Sequence, residues 1–230
     1  MRKRKGDFIM DVLELMKERH SVRQYRDTAI EEDKRSLINE YISELNARSG
    51  LHMIAVYDEP ECFNSRLAHY GRFENVKNYI VIAGKKGEDN DVKAGYYGEL
   101  VVLKLQELGL RTCWVALTHG KSRAVLKEDE KEIIIISTGY GKTDGIAHRS
   151  KPVSRLSNQS EDSPAWFRRG VEGALTAPTA VNQQRFRLVL VNDNQVKMEL
   201  PRFGNLVKLD SGIVKCHFEL AAGKENFEWI

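Results

Sequence analysis

Apolar residues recur along this chain with two periods that alternate, one helical and one extended. In residues 31–48, Leu37, Ile38, Tyr41, Ile42 and Leu45 fall at i, i+1, i+4, i+5 and i+8, the stripe of an amphipathic helix, and Gly50 ends it. Residues 91–108 repeat the pattern with Leu100, Val101, Leu103, Leu105 and Leu108, closed by Gly109. A shorter helix is expected over residues 11–19, ending at Arg19. Strands are expected at residues 51–57, 79–83, 112–115 and 132–138. The last holds four consecutive isoleucines, Ile133 to Ile136, which calls for burial on both faces. The polar, aromatic-spotted stretch 58–77 reads as loop. Helices separated by strands predict an α+β fold, with a central mixed sheet flanked by helices.

Residues 157–163 form the one linker-like stretch, and Pro164 just inside a helix start follows it. The order of elements then repeats: a helix over 164–175, a strand over 187–191, a helix over 211–222 and a strand over 227–230. Helix 31–48 with strand 51–57 parallels helix 164–175 with strand 187–191. Gly95 through Trp114 parallels Gly212 through Trp229 with a two-residue difference in spacing. A loose self-pairing is open to any alternating chain; the order of elements here favours an internal duplication. The expected organisation is a basic tail at 1–10, a first half at 11–156 and an abbreviated second half at 163–230. Both halves belong to one integrated globular unit.

Composition narrows the function classes. A chain of 230 residues and 26.3 kDa buries about 70% of its unfolded surface, enough for a core without metal or disulfide support. Net charge is only +3, so there is no global polyanion-binding signature. The basic run Met1-Arg2-Lys3-Arg4-Lys5 is expected to be a solvated tail rather than a nucleic-acid contact. Gly6-Asp7 interrupts at once any signal-peptide core, and Met10 offers an alternative start. No apolar run is long enough to cross a bilayer. Cys62, Cys113 and Cys216 show no metal spacing, and their odd number argues against a disulfide framework. No metal site and a reducing cytoplasm are the resulting expectations.

Three segments could carry chemistry. Arg19-His20-Ser21-Val22-Arg23 sets two guanidiniums, an imidazole and a hydroxyl in one irregular stretch, suited to a phosphate because arginine's fork of donors matches its oxygens. The bland alternative is a solvated helix terminus. Residues 177–184 (Ala-Pro-Thr-Ala-Val-Asn-Gln-Gln) offer short polar groups of mixed type on a turn, able to read a heterocycle edge or merely to cap a helix. Gly95-Tyr96-Tyr97-Gly98-Glu99 opens a helix that ends in Leu108-Gly109-Leu110-Arg111-Thr112-Cys113-Trp114-Val115. Its small residues suggest close packing against a helix or a flat ligand. Trp114 and Cys113 read as core, since no base pairs with the thiol.

Taken together, these segments resemble the FMN-dependent nitroreductase family. The family's N-terminal signature matches Arg19, His20, Ser21 and Arg23. Its Pro-Ser-x-x-Asn-x-Gln turn matches Pro178, Thr179, Asn182 and Gln184, and its Leu-Gly-Leu-x-Thr-x-Trp segment matches Leu108, Gly109, Leu110, Thr112 and Trp114. Gly139-Tyr140 and Arg149-Ser150-Lys151-Pro152 match two later motifs. The resemblance implies FMN as cofactor. Arg19, His20, Ser21 and Arg23 would bind its phosphate, with Arg149 or Lys151 completing the positive pocket. Pro178, Thr179 and Asn182 would lie against the ring from the opposite half, with Gln184 behind them. Backbone at Ala116, Leu117 and Thr118 would approach the reactive nitrogen, although the family's usual glycine is absent there. The implied partners are NAD(P)H and a small-molecule acceptor such as a nitroaromatic or quinone, used in a ping-pong cycle in which the flavin carries the chemistry and no side chain is a catalytic acid or base. Pocket walls are expected from residues 58–77 and 200–209.

One departure is informative. In ordinary members the Pro-Ser-x-x-Asn-x-Gln turn follows the first signature within a few dozen residues, and the flavin lies at a homodimer interface. Here the equivalent place, residues 45–50, has lost the turn, and the second half has lost the Arg-His-Ser signature. The chain resembles diverged members in which an internal duplication fuses both halves. The expected consequence is a pseudo-dimeric monomer with one flavin site. Two alternatives stay open: a flavoprotein of this fold doing flavin or halide chemistry, and an FMN-free ligand-binding or interaction protein on a degenerate nitroreductase fold.

Overall fold

A computed structural model describes residues 10–147 and 149–230. All of the expected basic tail but Met10 lies outside the described residues. Helix α1 (Val12–Glu18) starts where the Asp11 carboxylate accepts the Leu13 N–H at 2.9 Å, and it buries Leu13, Leu15 and Met16. Helix α2 (Glu32–Ser49) buries Ile38, Ile42 and Leu45 and stops at Gly50, which adopts φ +72°. Strand β1 (His52–Val56) follows. The stretch expected as loop contains a helical turn at Glu61–Phe63 and the short helix α3 (Arg66–Tyr70). Strand β2 (Asn78–Lys85), helix α4 (Asp91–Glu107), strand β3 (Arg111–Val115) and strand β4 (Glu130–Gly139) complete the first region.

The four strands form one sheet in the order β1-β2-β4-β3. Every neighbouring pair is antiparallel, which corrects the expected mixed central sheet. The α4 crossover does make β2 and β3 run the same way, but β4 inserts between them, antiparallel to both. The isoleucine run behaves as its pattern demands. Ile134 and Ile136 enter the large core under the helices, while Ile135 enters a second core with Phe63, Phe73 and Tyr79 on the other face.

The later part contains α5 (Val153–Leu156), α6 (Ala165–Leu175), β5 (Arg187–Asn192), β6 (Gln195–Glu199), α7 (Val207–Ala222) and β7 (Glu228–Trp229). Strands β5, β6 and β7 make a second sheet, and its β6–β7 pair is parallel. The stretch expected as linker is tied down. Asn158 trades side-chain bonds with Leu190, accepting its N–H at 2.9 Å and donating to its carbonyl at 3.0 Å.

Helix α7 lies against both α4 and α6. It runs the same way as α4, with Lys208 paired to Asp89 near the helix starts and His217 bonded to Glu99 further along. Where the two helices cross, a Cβ on Gly95 would sit 2.0 Å from the Leu209 carbonyl oxygen, and one on Gly212 would sit 2.1 Å from that of Val92. The contact is reciprocal: Gly95 also faces the Ile213 nitrogen, and Gly212 the Tyr96 nitrogen.

Candidate functional site

A cavity of about 560 Å³ opens where several parts of the chain converge. The first is the segment after α1. Leaving the helix at Arg19, the backbone extends beside β3, with Ser21 bridging Thr112 and the Val22 N–H donating to the Thr112 carbonyl at 2.9 Å. Strand-like alternation turns Val22 inward and leaves Ser21 and Arg23 on the cavity side. The Tyr25 hydroxyl, buried, donates to the Val22 carbonyl at 2.6 Å and fixes the register.

The second part is the turn after α6, which brings Pro178 and Thr179 to the cavity. It is wound tightly: Val181, Asn182 and Gln184 all have positive φ, at 45°, 56° and 43°. For a β-branched residue such as Val181 this is a genuine outlier. Its shape is imposed from α7. Asp210 accepts the Ala180 N–H at 3.0 Å and the Gln183 amide at 2.6 Å. Burial pushes the Asp210 carboxyl up to about 6, even though both donors favour its charge.

Ala116, Leu117 and Thr118, just past β3, form the third part, and Leu209, Asp210 and Ile213 of α7 the fourth. The expected walls are in place, since Tyr70, Gly71 and Arg72 come from the 58–77 stretch and Leu206 and Leu209 from 200–209. Cys113 and Trp114, read as core, also touch the cavity. Burial pushes the Cys113 thiol up, against the nearby Arg23 and Arg19 charges, so it remains a thiol.

Other expected residues stand elsewhere. Arg19 is 3% exposed, inside the protein and not on the cavity wall. Its Nε lies 3.9 Å from the Glu99 carboxylate and has no hydrogen-bond partner among the described residues. His20 turns aside, its Nδ1 3.1 Å from the Asp144 carbonyl. Asn182 and Gln184 point back to the Arg149 carbonyl, at 3.0 and 2.9 Å. Lys151 spends its ammonium on the carbonyls of Gln183, at 2.6 Å, and Gln184, at 3.1 Å. The 149–151 segment thus braces the turn, and Lys151 lines a separate, open groove with Gln184 and Arg155.

A buried polar cluster beneath the cavity had no sequence signal beyond its burial among apolar neighbours. Glu99, fully buried on α4, accepts the Trp114 indole N–H at 2.9 Å and faces His217 Nε2 at 2.9 Å. The other nitrogen of His217, Nδ1, faces the Gly173 carbonyl at 3.1 Å and the Thr176 hydroxyl at 3.0 Å. The cluster therefore joins α4, α6, α7 and β3 directly under the cavity.

A sequence profile of the family described as "Putative TM nitroreductase" matches residues 11–222. The chain belongs to this family. No curated protein matches it. Among solved structures, a nitroreductase from Thermotoga maritima is 22% identical, superposes with a TM-score of 0.67, and covers 98% of this chain and 88% of its own. A nitroreductase family protein from Clostridium difficile 630 is 19% identical with a TM-score of 0.50, covering 67% of this chain and 100% of its own. The likeness to these structures is one of fold. The nitroreductase assignment makes oxidoreduction the class of chemistry for which the cavity is to be judged.

Proposed function

We propose that this nitroreductase is an FMN-dependent oxidoreductase, passing electrons from NAD(P)H to a nitroaromatic, quinone or similar acceptor in a ping-pong cycle. The observation that carries this is the meeting in one cavity of Ser21 and Arg23 from the first signature with Pro178 and Thr179 from the second. Those segments lie more than 150 residues apart in the sequence. The residues fit the group. A cavity of about 560 Å³ falls within the size of small-molecule sites. Arg19 is nearly buried beside Glu99, with an Nε that makes no hydrogen bond among the described residues, and its charge would add to the attraction for a phosphate above it.

When bound, FMN supplies the hydride and electron chemistry. Ser21 and Arg23 would hold its phosphate, with Arg19 contributing charge from beneath. Pro178 and Thr179 would close on the ring, and Asn182 and Gln184 would act through the shape of their turn. The backbone from Ala116 to Thr118 would offer donors at the ring edge. Arg149 and Lys151 have a bracing role in this reading in place of the phosphate contact first expected. Water exclusion falls to Trp114, Leu209 and Ile213 on the inner wall.

The same reading takes the chain as a fused pair of halves, monomeric and cytoplasmic, with one such site. It is supported by the reciprocal Gly95–Gly212 crossing and by the way a complete family member corresponds to two-thirds of this chain. Each half also sets an indole N–H on a carboxylate of its long helix, Trp114 on Glu99 and Trp229 on Glu219.

The test is flavin retention. Purified protein desalted after exposure to FMN should keep a flavin absorption spectrum near one per chain. Arg19→Ala and Arg23→Ala should each weaken FMN binding by about tenfold or more. Unchanged affinity in a folded variant would remove the phosphate assignment, and no retained flavin in the unaltered chain would favour an FMN-free ligand-binding protein. Sedimentation should give the mass of one chain.

A further inference from the structure

Two arginines line the cavity, Arg23 beside the first signature and Arg72, and the second sits at an unusual backbone position. Helix α3 ends in a closed loop of two hydrogen bonds, Arg72 N–H to the His69 carbonyl at 2.9 Å and Phe73 N–H to the Ala68 carbonyl at 3.1 Å. Helix α4 ends in the same way, with Gly109 N–H on Gln106 at 3.0 Å and Leu110 N–H on Leu105 at 2.9 Å. This termination places its central residue in the left-handed region and strongly favours glycine there. Helix α4 complies, with Gly109 at φ +80°. Helix α3 instead carries Arg72 at φ +60°, although Gly71 immediately precedes it.

Gly71 has its own constraint. A Cβ there would lie 2.7 Å from the Thr118 Cβ and 2.9 Å from the Phe73 ring. The absent side chain lets the end of α3 press onto Thr118, and Tyr70 and Arg72 on either side of Gly71 line the cavity. Tyr70 is 85% exposed, and Leu117 and Val181, also on the wall, are 81% and 98% exposed. Large apolar side chains so open to water around a cavity mouth favour a ligand with a flat apolar body. Among the described residues, Arg72 has no carboxylate within ion-pair distance. A strained, unpaired cation beside an apolar rim is the pattern expected where side-chain function outweighs backbone comfort.

We propose that Arg72, with Tyr70 and Leu117, forms a subsite for an anionic group on the exchanging ligand. The ligand class is a planar aromatic bearing a carboxylate or sulfonate, or the phosphate of the nicotinamide donor. This rests on the flavin reading of the cavity but leaves the flavin phosphate to Arg19, Ser21 and Arg23. Arg72 is thus a specificity residue and takes no part in holding FMN.

The experiment titrates 4-nitrobenzoate and its neutral isostere 4-nitrobenzamide, and separately NADPH and NADH, into the unaltered chain, Arg72→Gly and Arg72→Lys. Flavin content of each preparation is read by absorbance. Arg72→Gly should keep its flavin and melt at or above the temperature of the unaltered chain, because glycine relaxes the left-handed position. Its affinity for 4-nitrobenzoate should fall about tenfold, with that for 4-nitrobenzamide unchanged and Arg72→Lys largely restoring the preference. A loss confined to NADPH would place the anion on the donor and support the same subsite. A loss shared by NADPH and NADH would place the anion on the donor's diphosphate, whereas equal affinities in unaltered and Arg72→Gly chains for 4-nitrobenzoate, NADPH and NADH alike would overturn the subsite, whether or not flavin is retained. Absence of flavin from the unaltered chain would count against the flavin reading alone, since these titrations need no turnover.

Discussion

Gly95 and Gly212 meet where α4 and α7 cross, each so close to the other helix's backbone that neither has room for a side chain. Because the obstacle is a carbonyl oxygen at 2.0 or 2.1 Å, no rotamer change can relieve it, and the helices themselves would have to part. Gly95→Ala and Gly212→Ala should therefore each cost about 3 kcal/mol or more of stability. The reciprocity adds a sharper expectation: the two losses should be similar, and the double variant should cost less than their sum, since one separation accommodates both methyls. Urea denaturation of the three variants checks this. A harmless alanine at either position would contradict the packing described.

Under that crossing, Glu99 is the counter-charge of Arg19 and the acceptor for His217 and Trp114. Glu99→Gln removes the charge at nearly constant shape and leaves Arg19 buried and unpaired. Breaking a buried pair on one side costs about 3–5 kcal/mol. If an anion is held above Arg19, it then becomes the main compensation. Saturating FMN should accordingly raise the melting temperature of Glu99→Gln by more than it raises that of the unaltered chain. Equal shifts in the two proteins would separate Arg19 from the anion site.

The sequence made the long periodic elements legible and left the short ones hidden. Helices α2 and α4 carry their stripes and their glycine stops openly, and the isoleucine run announces a strand covered on both sides. Helix α3, at five residues, is too short for any period to show. The β5–β6 hairpin was readable in principle, because Asn192-Asp193-Asn194 separates alternating apolar residues on both sides. Of the site, the signatures that bring Ser21, Arg23, Pro178 and Thr179 together were legible. The second layer was not: Glu99 and His217 lie 118 residues apart, and neither sequence position names its partner. Asn182 is expected against the ring because it matches the family's turn motif, and what the motif does not announce is that its side chain donates to the Arg149 carbonyl.

Asp210 offers a pH-dependent test of how the turn is held. Its carboxyl is raised by burial to about 6 in the folded chain, against about 3.9 for an unfolded aspartate. A raised carboxylate favours the folded state most while it is protonated, below the unfolded value, and that contribution is lost as pH rises through the folded one. Two units correspond to about 3 kcal/mol, spread over roughly pH 4 to 6. Asp210→Asn keeps an acceptor for the Ala180 N–H and removes the titration. The stability difference between variant and unaltered chain should therefore shift in the variant's favour as pH rises from 4 to 7, whatever the two proteins share elsewhere. Above pH 6, however, the charged carboxylate grips Ala180 and Gln183 more firmly than an amide can. At neutral pH the variant should therefore bind FMN more loosely, because the strained turn at Val181 relaxes away from the cavity, even though removal of the buried charge shifts relative stability in its favour. Parallel urea curves at pH 4.5 and 7 in both proteins would decide the first part. A stability difference that does not move with pH would show that Asp210 does not titrate between its folded and unfolded values.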